Sequence, residues 1–370
     1  MRSVLALLAT VVLILATGCT DEKVLEKVGF LRSIAYDTAG EDEPDKLRVT
    51  VSIPLSNQKQ TVIYSTIAST SEEAMLVFNR QNNREIVKGQ LRQVLIGETL
   101  AKKGIWEHVG LLMRDPSVGS RVHVIVVEGD TQKLLSRSYA HHSTAGEYID
   151  NLIRTVVHTG DVPDTNIHRF MRDYYDDGIE PVATIIRGTA KHLVIDGIAL
   201  FKRDRMVGRV EPDDKTLFGL LYGNVRTGKM FMDLSANNGH GDKVSLNYLV
   251  SDRKVTIDSF DPQRKDKPLK ATVRLKIRGS LLEYIGDRSM QNFRDQRLLE
   301  AEMTEFVRRR CQELLELMQK CGADSIGIGQ HARNKVSYEQ WKRLEWNDVF
   351  SKADIRVVAD VKIKDFGKVQ

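Results

Sequence analysis

Cys19 is the residue of this sequence whose surroundings point most directly to chemistry. Every residue from Val4 to Gly18 is apolar or small, and the charged stretch Asp21–Lys23 begins two residues after the cysteine. A helix that spans a bilayer needs about 20 predominantly apolar residues, whereas the hydrophobic region of a secretory signal needs about 7–15. The run therefore predicts a signal peptide over residues 1–18 and argues against a membrane-spanning helix.

The residues next to Cys19 predict what happens to its thiol. Small residues occupy positions 16–18, where a signal peptidase needs narrow side chains, and Arg2 supplies the positive charge at the N-terminus. The segment resembles a bacterial lipobox, in which the thiol is alkylated by a diacylglycerol group and becomes the new N-terminus. Ala16 departs from that pattern, which prefers a larger aliphatic residue, and a plain signal with an incidental cysteine is the alternative. Two acyl chains anchor a protein stably, so we predict lipidation at Cys19 and a lipidated tether over residues 19–31.

The other two cysteines, Cys311 and Cys321, lie on one predicted helix. Ten residues of helix separate them by about 15 Å, whereas a disulfide needs Cα atoms about 4.4–6.8 Å apart. They are predicted to be small buried hydrophobic residues.

Three further motifs contain residue types that could form a binding site. Ser325–His331 (SIGIGQH) has the glycines of a phosphate loop, but a long helix precedes it where a dinucleotide fingerprint needs a strand. Arg172–Glu180 (RDYYDDGIE) is acidic but lacks the alternating ligands of a calcium loop. They are interpreted as a turn after a helix and as a solvated helix end. Arg308–Arg310 is interpreted as an exposed face paired with glutamates, with lipid phosphates or an acidic partner as the alternative; these glutamates are Glu305, Glu313 and Glu316.

No constellation in the sequence predicts catalysis. The adjacent His141 and His142 would point to opposite faces of a strand, and no HExxH, CxxC or GxSxG motif occurs. We therefore predict that the protein is not an enzyme and has no catalytic, cofactor-binding or metal-binding residues.

Composition limits the class of protein. The chain has 370 residues, 28% charged and 41% hydrophobic, which is typical of globular proteins with two or three domains. The net charge of +5 is mild, and no motif for nucleic-acid recognition accompanies it. Nucleic acid is therefore not a predicted partner.

Strands and helices intermix before about residue 190. The predicted strands are Leu47–Pro54, Thr61–Ser69, Val122–Gly129 and Val182–Gly188. One predicted helix starts at about Ser71, and three others cover Arg84–Gly104, Ala145–Gly160 and Asn166–Gly178.

After residue 190, strands dominate and helices follow. The predicted strands are His192–Lys202, Lys229–Ser235, Lys243–Ser251, Lys254–Phe260, Lys270–Gly279 and Ile355–Gly367. The predicted helices are a short one at Asp213–Gly223, a long one at Met290–Lys320 and one at Tyr338–Phe350. Turns are predicted at Arg203–Gly208 and Ser251–Lys254. The side chains of the long helix predicted to face the core are Leu299, Met303, Phe306, Leu314 and Leu317. The pattern predicts an α+β, multi-domain protein in which mixed and antiparallel sheets pack with helices, with an N-terminal part over 32–190 and a C-terminal domain over 191–370.

Four segments together resemble one family, the C subunit of the Ger-type spore nutrient-germinant receptors. They are the lipobox at Cys19, Gly89–Val118 with its arginine–aspartate–proline turn, Ile198–Asp214, and the closing segment Cys321–Gly367. Their order and spacing extend over nearly the whole chain.

The resemblance implies a lipoprotein subunit without enzymatic activity. It would act in spore germination with an A and a B subunit, on the outer leaflet of the spore inner membrane, attached to lipid through acylated Cys19. The alternative is a solute-binding lipoprotein of a transporter. The run of consecutive strands over 229–278 argues against the two doubly wound lobes of that class.

Overall fold

The computed structural model describes residues 28–365 except 56–59, 141, 143, 236–240 and 265–266. Cys19 and the predicted signal peptide lie outside the described residues. The strands are β1 Val28–Phe30, β2 Ser33–Thr38, β3 Leu47–Pro54, β4 Thr61–Ala68, β5 Glu85–Val87, β6 Gln93–Gly97, β7 His123–Glu128, β8 Val182–Gly188, β9 Leu193–Lys202, β10 Arg205–Val210, β11 Lys229–Asp233, β12 Lys243–Ser259, β13 Lys270–Ile285 and β14 Asp354–Asp365. The helices are α1 Ser71–Gln81, α2 Glu98–Lys103, α3 Trp106–Arg114, α4 Thr131–Ser136, α5 Ala145–His158, α6 Ile167–Tyr175, α7 Lys215–Tyr222, α8 Phe293–Cys321, α9 Ile328–Arg333, α10 Tyr338–Lys342 and α11 Trp346–Ser351.

An eight-stranded mixed sheet forms the first half of the fold, in the order β10-β9-β8-β7-β6-β2-β3-β4. Its four central strands are parallel, and antiparallel strands flank them on both sides. The central strands are buried on both faces, as parallel strands covered by helices usually are. One core lies on each face of this sheet.

The helix predicted over 84–104 is wrong, because most of this segment is strand. Glu85–Val87 pairs with β1, Gln93–Gly97 is a central strand of the large sheet, and only Glu98–Lys103 is helical. All five residues of β6 are buried. A short apolar run of this kind has no polar face, so its periodicity does not distinguish a buried strand from a helix.

The first sheet extends beyond residue 190. The turn predicted over Arg203–Gly208 is limited to its first two residues, and Arg205–Val210 is an edge strand paired with β9. The predicted domain boundary between residues 190 and 191 therefore lies between β8 and β9, which are paired strands. At the other end, β1 begins at Val28, so the last four residues of the predicted tether belong to the fold.

The second sheet has the order β11-β12-β13-β14 and contains two long strands. The turn predicted at Ser251–Lys254 is wrong, because β12 runs through it without interruption and pairs there with β13. Asp252 and Lys254 look like turn residues in the sequence, but they are polar residues of a strand with one buried face.

The long helix α8 forms as predicted, and it packs against β14 of the second sheet. Its buried stripe consists of Leu299, Met303, Val307, Cys311, Leu314, Leu315 and Met318. Phe306 and Leu317, which were predicted to face the core, are only partly buried at the margin of this stripe. A heptad spacing drifts by about 20° per seven residues from the face of a straight helix, which explains the error.

The fold class predicted from the sequence, α+β with mixed and antiparallel sheets and a long C-terminal helix, is confirmed. The helix predicted at Tyr338–Phe350 is two short helices, α10 and α11, of which the first starts with a capping box at Ser337. Cys311 and Cys321 are free thiols, and Cys311 is fully buried.

Candidate functional site: the junction between the two sheets

The two motifs interpreted separately in the sequence meet in the structure. Arg172–Glu180 ends α6 and leads to β8, and Ser325–His331 connects α8 to α9. The backbone N–H of Gln330 donates to the carbonyl of Gly178 at 3.0 Å. The Gln330 side chain donates to Asp176 at 2.9 Å, across 154 residues of sequence. These contacts join the segment between α6 and β8 of the first sheet to the segment that follows the long helix.

Two glycines allow the motifs to approach this closely. A Cβ atom at Gly178 would lie 2.6 Å from the backbone nitrogen of Gln330, and one at Gly329 would lie 2.7 Å from the Cα atom of Gly178. Such distances are shorter than van der Waals contact, so side chains at these positions would separate the two segments. Gly329, one of the glycines that resembled a phosphate loop, therefore serves backbone packing.

Asp324 is the buried centre of the junction. One oxygen accepts the N–H of Ile328 at 3.0 Å, and the other accepts the N–H of Gly329 at 2.7 Å and the indole N–H of Trp346 at 3.0 Å. Burial raises the pKa of this carboxyl to about 6, although the three donors oppose the shift. Asp324 thus holds α9 and α11 to the end of α8.

Glu180 performs a similar role on the side of the first sheet. Its backbone N–H donates to the Asp324 carbonyl at 2.9 Å, and its side chain accepts from the Asn347 amide at 2.7 Å and from the Arg203 N–H. Burial is the main cause that raises the pKa of Glu180. The carboxylates of Glu180 and Asp324 are both engaged by donors within the fold, so the junction is a structural connection and not a reaction centre.

The remaining candidates from the sequence have ordinary surroundings. Within the described part of the chain, no group of three or more His, Cys, Asp or Glu side chains is placed to hold a metal ion. His142 stacks on Tyr148, with ring centroids 3.6 Å apart, and His141 lies outside the described residues. Burial raises the pKa of the Cys311 thiol well above its usual range, which suits a buried hydrophobic residue and not a nucleophile.

The basic triplet of α8 is paired with two of the three predicted glutamates, Glu305 and Glu313, and no ion pair with Glu316 is found among the described residues. Arg308 binds Glu305 at 2.5 Å, and Arg309 binds Glu313 at 3.1 Å. Arg310 binds Glu313 and also Asp214, each at 2.7 Å. The contact with Asp214 could not be seen in the helical pattern, because this residue lies 96 positions away.

An open cleft lies beside the junction, between α6 and α7. It has a volume of about 530 Å³ and adjoins a second cavity of about 460 Å³ along α5. Ile326 and Gln330 of the junction contribute to its wall. The sequence did not single out this cleft, because its lining residues come from segments that are far apart in the chain.

Fold and junction together define a class: a multi-sheet α+β protein in which buried carboxylates are used for structure and not for catalysis. Two family models match the chain, the spore germination protein N-terminal domain over residues 21–188 and the spore germination B3/GerAC-like C-terminal domain over residues 196–367. The chain belongs to this family of Ger C-type spore germination proteins, which are of receptor type and not enzymes. The resemblance drawn from the sequence is confirmed.

Relatives match along the full length. The chain is 26% identical over 369 residues to the spore germination protein GerQC of Bacillus cereus, covering 99% of both chains. It is 23% identical over 383 residues to the putative spore germination protein YfkR of Bacillus subtilis (strain 168), covering 97% of this chain and 96% of that one. The crystal structure of the GerBC protein shares the fold, with a TM-score of 0.58 and 15% identity over 94% of this chain and all of that one. None of the helices in the described residues combines the length and apolar content that a bilayer-spanning helix requires.

Proposed function

We propose that this protein is the membrane-anchored C subunit of a spore nutrient-germinant receptor. It is attached through acylated Cys19 to the outer leaflet of the spore inner membrane and acts there with an A and a B subunit. The observation that carries the proposal is the short apolar run ending at Cys19, placed directly before a chain that belongs to the germination family. The described fold begins at Val28, nine residues after that cysteine.

Anchoring explains how such a subunit acts without a reaction centre. Confinement by a short linker raises the effective concentration of the protein near membrane partners, so modest contacts are sufficient for assembly. The architecture also argues against the solute-binding alternative. One eight-stranded and one four-stranded sheet differ from the two doubly wound lobes of that class.

Replacing Cys19 tests the anchor. Cys19→Ala is expected to remove the incorporation of a fatty-acid analogue and to leave the precursor uncleaved at this site. Cys321→Ala is the matched control, because it removes a partly exposed free thiol and leaves the lipobox intact. Equal labelling of Cys19→Ala and the unaltered protein would contradict lipidation at Cys19.

Isolation from spores tests the assembly. The lipidated protein is expected to co-purify from spore membranes with a permease-like and a larger membrane protein, and spores with Cys19→Ala should respond poorly to nutrients. Calorimetry of the purified chain against amino acids and sugars distinguishes the alternative, because a micromolar dissociation constant would favour a solute-binding protein.

A further inference from the structure

The cleft beside the junction and the cavity along α5 form a basic groove. They share Val157, His158 and Asp164 as lining residues. Seven arginines and two aspartates line the groove, and one of the arginines, Arg172, also binds Asp173 outside the lining at 2.6 Å. These arginines come from the residues just before β6 and β7, from α5 and α6, from the segment between α7 and β11, and from β12.

Three exposed arginines of the groove have no partner of opposite charge. Arg92, Arg121 and Arg226 are exposed and make no ion pair within the described residues. The equally dense triplet on α8 differs, since each of its arginines binds a carboxylate. The groove therefore retains positive charge that the fold does not neutralise.

Two buried nitrogen atoms among the lining residues also lack a partner. The Nδ1 atom of His123 is buried without a hydrogen bond, and the nearest recorded carboxylate oxygen, on Asp164, is 3.9 Å away. The Nε atom of Arg253 is likewise buried and unpartnered, although its Nη2 atom donates to the carbonyl of Ile326 at 2.6 Å. Buried polar atoms without a hydrogen-bond partner are uncommon.

The outer part of the groove lies where the chain enters the first sheet. Ser33, Gln93 and His123 lie side by side in register on β2, β6 and β7. The N–H of Arg92 donates to the carbonyl of Arg32 at 3.0 Å. Ser33 and His123 are therefore two strand spacings apart, about 10 Å. The nine residues from Cys19 to Val28 span at most about 30 Å. An anchor at Cys19 would thus keep this end of the groove close to lipid headgroups.

We propose that this groove is a binding site for a phosphate group, carried by the headgroup of an anionic lipid or by a free phosphate ester. Guanidinium groups match phosphate oxygens with two parallel hydrogen bonds, and several converging arginines suit an anion with three or four acceptor oxygens. The preference for the lipid source rests on the proposed anchoring at Cys19, whereas the phosphate site itself does not.

Titration of the full-length chain in a neutral detergent tests the site. Inorganic phosphate and short-chain phosphatidylglycerol are the two probes, followed by ³¹P line broadening at constant ionic strength. The double variant Arg92→Gln/Arg121→Gln is expected to weaken binding by about tenfold or more. Arg274→Gln/Arg278→Gln is the matched control with the same change in charge on the exposed face of β13, and it should bind within about twofold of the unaltered protein.

The outcomes separate the possibilities. Tighter binding of phosphatidylglycerol than of inorganic phosphate supports a lipid headgroup, and equal binding supports a free phosphate ester. The site would be overturned if neither probe bound saturably, or if the groove and control variants lost the same amount of binding affinity. It would also be overturned if the protein bound polyglutamate but neither probe. Arg226→Gln provides a second variant at the inner end if the double variant melts early. Because the assay uses neither lipidation nor the A and B subunits, its failure is distinct from failure of the proposed function.

Discussion

At the scale of single residues, Asp324 accepts structural hydrogen bonds although burial disfavours its ionised form. It is fully buried and receives three hydrogen bonds, yet burial raises its pKa to about 6. The folded protein therefore binds a proton at this carboxyl more tightly than the unfolded chain does. Protonation of Asp324 favours the folded state below about pH 6, and this stabilisation is lost as the pH rises through 6.

Asp324→Asn should remove this pH dependence. The variant should be less stable at every pH, because an amide has one acceptor oxygen where two carboxylate oxygens now receive three donors. The stability difference between the unaltered protein and the variant should widen by about 3 kcal/mol from pH 7 to below pH 4, for a pKa difference of roughly two units. Denaturant unfolding at several pH values measures it, and a constant difference would contradict the assignment.

Gly178 tests the close approach at the junction. Gly178→Ala places a methyl group against the backbone of Gln330 and should lower the free energy of unfolding by about 1–3 kcal/mol. Gly119→Ala is the control, because no heavy atom lies within 4 Å of a Cβ atom there. Thermal melts of both variants provide the measurement, and equal melting temperatures would show that the segments separate easily.

At the scale of elements, the helix α8 shows how a correct element can carry an incorrect face. The sequence predicted its position and length within a few residues. In the structure Asn292 is the N-cap, and Gly322 is in the left-handed conformation at the end of the helix. The stripe that faces the sheet, however, includes Val307 and Cys311 at its centre and leaves Phe306 at its margin.

This placement predicts different costs for neighbouring substitutions. Met303→Ala should lower the free energy of unfolding by about 2–5 kcal/mol, because the side chain is fully buried. Phe306→Ala should cost less than Met303→Ala, and Leu298→Ala, at a position that is 46% exposed, should change stability little. Melting temperatures of the three variants give the order. A normal melting temperature for Phe306→Ala together with loss of germination would instead identify Phe306 as part of a docking surface.

At the scale of the whole molecule, the first described strand belongs to a two-stranded sheet of its own. Strand β1 pairs in parallel with β5, and the N–H of Leu31 donates to the carbonyl of Val87 at 2.9 Å. Leu31 is fully buried. A lipid anchor at Cys19 would therefore connect to the body of the protein through at most eight residues, 20–27, so the tether is short.

Truncation tests how firmly the tether joins the fold. A chain that begins at Arg32 should melt at a lower temperature than one that begins at Val28, because it loses the burial of Leu31 and Val28, each of about 1.5–3 kcal/mol, and the pairing with β5. Differential scanning calorimetry of the two chains decides this. Equal melting temperatures would return residues 28–31 to the tether.

Local patterns in the sequence determined much of this protein. Alternating side chains specified strands such as Leu47–Pro54, a capping residue and acidic first turn specified the helix at Ser71, and the apolar run specified a candidate lipidation site at Cys19. These features depend on residues within a few positions of one another, so they can be read without the fold.

Only the tertiary structure decided the rest, because it depends on contacts between distant segments. Gln93–Gly97 is a strand because neighbouring parallel strands and helices bury both its faces. Ser251–Lys254 is part of a continuous strand because β13 pairs with it. The junction of Gly178 with Gln330 and the arginine-lined groove join residues from segments far apart in the chain. No local period records such contacts, and the burial that shifts the pKa of Asp324 exists only once they have formed.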